Sequence, residues 1–208
     1  MFSDPPGELP PRPDRETGEP RPPRAPAMWE GGKGDPEVDP RRRPTPPEGQ
    51  GPPLEWHRDS GRATYRVVVI AFGFMFVVMT LIAWGFSWTT DWVFWLIVLL
   101  LPLIMFLSSR SRWMAAGADW FASNTGWVKI YDLTEIELAG NAISPRLYLT
   151  DTEGHAAHAE LRQMQANSRL WDLVYNGIIH SFYTRVVKVN TAARVQVVER
   201  DFPRHRRD

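Results

Sequence analysis

Apolar residues fall along this chain in three unlike patterns: sparse over the first sixty positions, two unbroken runs between Val67 and Leu107, and short periodic clusters from Trp113 to Val198. The two runs, Val67 to Phe86 and Trp92 to Leu107, hold no Lys or Arg and are separated by Ser87-Trp88-Thr89-Thr90-Asp91. Because they are apolar on every face, they predict helices immersed in lipid, not the one-sided helices of a water-facing core. At about 1.5 Å per residue the first run reaches roughly 30 Å, the thickness of a bilayer's hydrocarbon core, and the second about 24 Å. One helix through both would be about twice too long, so the pattern predicts a transmembrane hairpin. Gly85 is placed to end its first helix, Thr90 or Asp91 to cap its second, and Pro102 to bend it.

Charge then sets a direction. Arg58, Arg62 and Arg66 precede the hairpin, Arg110 and Arg112 follow it, and the turn carries only Asp91. Positive flanks stay inside, which predicts a multi-pass plasma-membrane protein with both termini cytoplasmic. Trp84, Trp88, Trp92 and Trp95 crowd the turn, where indoles favour the membrane surface; together with Arg62, Arg66, Arg110 and Arg112 they are the expected membrane-interface residues.

Residues 1–60 hold sixteen of the nineteen prolines and seven glycines, with too little apolar surface to repay ordering, so a disordered cytosolic tail is expected. Its proline clusters, such as Pro10-Pro11-Arg12-Pro13 and Pro20-Arg21-Pro22-Pro23, favour polyproline II and fit an aromatic groove on a partner. The run Arg41-Arg42-Arg43 is a candidate contact for a partner or for anionic lipid.

After the hairpin the periodicity shortens. Trp113, Ala116, Trp120 and Phe121 share helical spacing, which predicts a helix over 113–121. Strands are expected at Trp127–Tyr131, around Ile136 and Leu138, around Leu147 and Leu149, and over His155–Leu161, with turns at Gly140-Asn141 and Asp151-Thr152-Glu153-Gly154. Leu170, Val174, Ile178 and Phe182 then recur at four-residue steps, an amphipathic helix capped by Asn167 or Ser168, in which Gly177 permits close approach to a strand. Residues 190–198 form a short helix capped by Asn190 or Thr191, or a strand, before a basic end.

This order, a meander of short antiparallel strands closed by a helix, resembles the small PH-like domains behind transmembrane hairpins in bacterial membrane proteins. Trp171-Asp172-Leu173-Val174-Tyr175-Asn176-Gly177-Ile178-Ile179-His180-Ser181, with Tyr131-Asp132-Leu133-Thr134-Glu135 before it, resembles uncharacterised actinobacterial membrane proteins, some associated with mobile elements. The resemblance covers about residues 118–183 and implies no catalytic or binding residues. The expected fold class is membrane α+β: a disordered tail (1–60), a hairpin (61–111), a cytosolic PH-like sheet with capping helix (112–189) and a short helix with basic tail (190–208).

Chemistry is sparse. Without cysteine there is no thiolate nucleophile, disulfide or Cys-based metal site. No phosphate-binding loop, dinucleotide fingerprint, serine elbow or His-Glu-x-x-His helix occurs. His155 and His158 lack further ligand candidates, His180 is placed to offset a helix dipole, and Asp132 with Glu135 or Asp151 with Glu153 sit in turn sequences where acids are common. Neither run carries a buried charge of the kind an ion path needs. Residues 61–208 carry fifteen Lys and Arg against twelve Asp and Glu without an aromatic-basic stripe, so direct nucleic-acid binding is not expected. No cofactor, metal or catalytic residue is expected. The layout predicts a non-enzymatic integral membrane protein whose PH-like module serves as a protein-interaction scaffold. Its expected partners are the lipid bilayer, proteins in it or at its cytosolic face, and further copies of itself. The alternatives are an accessory subunit of plasmid or integrative-element transfer and a small membrane-bound enzyme, which would need a deep polar pocket.

Overall fold

The computed structural model describes residues 9–28, 43–58, 62–82, 84–90, 92, 95–96, 99–100, 103–104, 113–141 and 144–198. Two units divide the chain, residues 58–112 and the remainder, 1–57 with 113–208.

In the unit of residues 58–112, helix α1 (Arg62–Ile82) is 21 residues long. Arg62, Thr64 and Arg66 occupy its first turns, so its unbroken apolar part is about sixteen residues, roughly 24 Å, against about 30 Å of hydrocarbon. The helix closes at Ile82 because Trp84 turns left-handed at φ 50° and Gly85 follows at φ 149°, its N–H returning to the Thr80 carbonyl at 3.1 Å. A 3-10 turn, Ser87–Thr90, comes next. The described residues between 92 and 104 have helical backbone. Among the described residues no helix is long and apolar enough to cross a membrane. This corrects the expected transmembrane hairpin, and with it the membrane part of the fold class and the multi-pass plasma-membrane location.

The larger unit is α+β, with two sheets where one was expected. Among the described residues the first has the order β1-β2-β3-β4, from β1 (Glu55–Arg58), β2 (Trp113–Ala116), β3 (Trp120–Ser123) and β4 (Gly126–Lys129). The second has the order β7-β6-β5-β8, from β5 (Leu133–Gly140), β6 (Pro145–Asp151), β7 (Ala156–Glu160) and β8 (Lys188–Val189). Its pairs are antiparallel except β5 with β8, which run parallel, Glu135 opposite Lys188 and Ile136 opposite Val189. The expected single PH-like sheet is therefore corrected to two four-stranded sheets, one of them mixed.

The helix expected over 113–121 is also corrected: β2 and β3 form an antiparallel hairpin, Ala116 opposite Phe121. Met114, Ala115, Ala116, Trp120, Phe121 and Ala122 are all buried. A strand covered on both faces has no in-out alternation, so its apolar spacing cannot be told from that of a buried helix. Gly117 makes the turn, where a Cβ would stand 2.2 Å from Trp120 Nε1. Strands β5 and β6, by contrast, alternate as half-buried strands do, with Leu133, Ile136, Leu138, Leu147 and Leu149 inward.

Helices α2 (Leu161–Ala166) and α3 (Ser168–Thr184) follow β7. Asn167 caps α3, its side chain accepting the Leu170 N–H at 3.2 Å. Leu170, Val174 and Ile178 are buried against the sheets, and Gly177 lies so close that a Cβ would meet Ile130 Cβ at 2.6 Å. After β8, Asn190 caps the short α4 (Thr191–Ala193) by accepting the Ala193 N–H at 2.8 Å. The same side chain pairs with both backbone groups of Leu138, at 3.2 and 3.0 Å, and so extends the parallel edge. Residues 194–198 continue as a π-helical turn.

Candidate peptide-binding groove

The outer side of α3 is not bare, and what covers it is residues 9–28, part of the segment expected to be a disordered tail. Prolines already restrict the backbone, so an extended proline-rich segment loses less entropy on docking than an ordinary one. Residues 9–28 lie as two legs joined by a tight loop at 14–18. Asp14 closes the loop: its carboxylate accepts from Glu16 N–H, Thr17 N–H and Thr17 Oγ1, each at 3.0 Å, and these bonds hold it below the usual carboxylate range. Gly18 completes it at φ 73°, with no room for a side chain beside Leu54.

Three polar side chains spaced four apart on α3, Asp172, Asn176 and His180, form one stripe along the helix. His180 Nε2 donates to the Pro10 carbonyl at 2.5 Å, and Asn176 Nδ2 donates to the Pro11 carbonyl at 3.3 Å. A carbonyl only accepts, so the His180 proton sits on Nε2. Asp172 Oδ1 accepts the Ala25 N–H at 2.7 Å. Beside the stripe, Trp171 Nε1 donates to the Pro26 carbonyl at 2.8 Å, and Gln165 on α2 accepts the Met28 N–H at 2.8 Å. The first leg is thus read through two carbonyls and the second through an alternating N–H, carbonyl, N–H.

Packing supports the ladder. Ala25 joins the main apolar cluster at 8 % exposure, with Leu9 and Ala27 against it. Arg12 stacks its guanidinium over Tyr131, 4.6 Å from the ring centre, and Tyr131 Oη accepts from Asn176 Nδ2 at 3.0 Å. Burial pushes the Tyr131 hydroxyl up to about 12 despite the Asn176 bond and the nearby Arg12. His180 is pushed below its ordinary value, first by burial and then by Arg12, while its bond to Pro10 opposes the shift. Arg15 pairs with Asp119 at 2.7 Å and reaches Gln50 at 3.1 Å. A small cavity of about 90 Å³ lies under the second leg, lined by Pro22, Leu54, Glu55, Arg169, Asp172 and Leu173 among others.

The residues singled out in the sequence lie elsewhere. Trp84 is 96 % exposed and Trp92 is also exposed, Trp88 falls in the 3-10 turn, and Trp95 Nε1 donates to the Thr89 carbonyl at 2.9 Å. Arg62 opens α1 and Arg66 is exposed on it. Arg110, Arg112, Arg41 and Arg42 lie outside the described residues. Arg43 donates to the Pro53 carbonyl at 2.9 Å and sits 5.9 Å from the Trp56 ring centre, where a cation and an indole face attract.

Asp151 is buried and occupied by its own turn and by the end of β4, accepting from Glu153 N–H, His155 N–H, His155 Nδ1 and Lys129 N–H at 2.9 to 3.1 Å. The His155 ring also lies tilted against Trp127, centroids 4.1 Å apart, and His158 stacks on Tyr148. Asp132 pairs with Arg185 at 2.5 Å. Among the described residues no group of three or more His, Cys, Asp or Glu could hold a metal ion.

The apolar spacing of Leu170, Val174 and Ile178 marks one face of α3, but it assigns Asp172 and Asn176 no role and leaves His180 only the helix dipole. Their own spacing of four was the signal that marked a second, polar face. The chain matches no family model, no curated protein and no solved structure.

Proposed function

We propose that the chain is a non-enzymatic protein-interaction module whose α2–α3 face captures extended proline-rich segments, and that its own residues 9–28 are the resident occupant. The observation that carries this reading is the ladder of five side chains, Gln165, Trp171, Asp172, Asn176 and His180, each bonded to backbone of the proline-rich segment. Backbone reading by an indole N–H and polar neighbours beside apolar surface is the physics of polyproline recognition, in which a pre-extended ligand has little entropy to lose. A tethered occupant acts at an effective concentration on the order of mM, so a partner's segment gains access when it binds better or when the tether is cut.

The test uses the full chain with a site-specific protease sequence placed between Gly34 and Asp35. After cleavage, a fluorescent peptide of residues 9–28 should exchange into the groove saturably, with one peptide per protein, measured by anisotropy. Uncut protein should bind it far more weakly. Equal binding to cut and uncut protein, or none to either, would sink the reading.

A further inference from the structure

We infer that this groove selects its ligand by where the backbone N–H groups fall, taking a segment that runs small non-proline, proline, small apolar residue, non-proline at the positions of Ala25, Pro26, Ala27 and Met28. The inference rests on the proposed reading of the groove and specifies the partner as a protein carrying such a segment in extended form.

Four observations converge on the pattern. Asp172 takes the N–H of residue 25, and a proline there would remove that donor and leave a half-buried carboxylate oxygen facing a ring carbon. Ala25 is buried in the apolar cluster, so a longer side chain would have to displace core residues. Trp171 takes the carbonyl of residue 26, which proline supplies as well as any residue; proline at 26 also holds residue 25 extended. Gln165 takes the N–H of residue 28, which again forbids proline.

The first leg is read differently. His180 and Asn176 take only carbonyls there, and prolines stand at 10, 11 and 13 without conflict. Among the described residues, Asn176 Oδ1 is buried with no partner, so this leg leaves one acceptor unanswered. The second leg therefore carries the selection, and the chain's own sequence places its non-prolines where an N–H is read.

The cleaved full-length protein and competing 9–28 peptides test this by anisotropy. N-methylalanine at position 25, Ala25→Pro, Ala25→Leu and Met28→Pro are each expected to weaken binding at least tenfold. Pro11→Ala, which adds an N–H to the first leg, should bind at least as tightly as the parent. A groove that senses only polyproline II shape predicts the opposite sign for Ala25→Pro, so Ala25→Pro or N-methylalanine binding within twofold of the parent overturns the inference. If the parent peptide binds and these variants do too, the recognition rule fails while the interaction reading stands; if the parent does not bind, the reading itself fails. Exchange of the segment between two uncut copies, seen as a stable dimer by sedimentation, would assign the groove to a second copy and also overturn the inference.

Discussion

His180 joins a helix to a carbonyl 170 positions earlier in the chain, so its protonation bears on whether the tail stays down. Its folded pKa lies below the ordinary 6.5, because burial and Arg12 disfavour the imidazolium; Tyr131, edge-on at 5.2 Å, stays neutral. The unfolded chain therefore takes up the proton first. Stability is full above pH 6.5 and falls as pH drops through that value toward the folded pKa. Thermal melts from pH 8 to 5 should show this loss, and His180→Gln, which keeps an N–H for Pro10 but does not titrate, should flatten it. Asp172→Ala removes a bond between a carboxylate and an amide, worth about 1.5–3 kcal/mol, and urea denaturation should register a loss of that order. None of these roles was evident from composition. A tail with sixteen prolines reads as unable to bury enough apolar surface, yet its residues 9–28 are held by hydrogen bonds to their backbone beside a few apolar contacts, and composition does not encode such bonds.

At the level of elements, α3 was legible because its apolar positions recur every four residues and Asn167 stands where a cap belongs. So were β5 and β6, whose half-buried faces alternate. The β2–β3 hairpin was not, since strands buried on both sides lose the period that would identify them, and the alanines between its tryptophans suggested a helix. Strand β8, two residues long and parallel to β5, carries too little sequence to announce itself. Gly177 separates local preference from packing. Alanine there would favour an isolated helix by about 1 kcal/mol. In the fold its Cβ would collide with Ile130, which is fully buried and cannot retreat, so Gly177→Ala should destabilise the protein by about 1–3 kcal/mol in denaturant titrations. Asn190→Ala should cost a similar amount, because it removes the α4 cap and both bonds to Leu138 together, and hydrogen exchange should then rise at Leu138 and Ala193.

Across the whole molecule, the proline-rich residues and α3 belong to one unit although the sequence separates them by most of its length, and the apolar runs belong to another. That arrangement gives a direct assay. Of the four arginines in residues 9–28, Arg15 and Arg24 are not followed by proline, and docking holds the Arg24–Ala25 bond through the Ala25 N–H. Trypsin should spare that bond in the native protein and cut it within the same digestion when Asp172→Ala and Trp171→Phe are combined, as mass spectrometry of the fragments would reveal. The first apolar run has the length of a membrane span, but the helix that forms there starts earlier, in charged residues, and stops earlier, at a left-handed tryptophan.

During synthesis the tail leaves the ribosome long before the helix that will hold it, with 147 positions between Ala25 and Asp172 and 170 between Pro10 and His180. At about 5–20 residues per second that gap lasts roughly 10–30 s. For that interval the nascent proline-rich stretch is available to any chaperone or partner that binds such sequences, and the finished protein withdraws it.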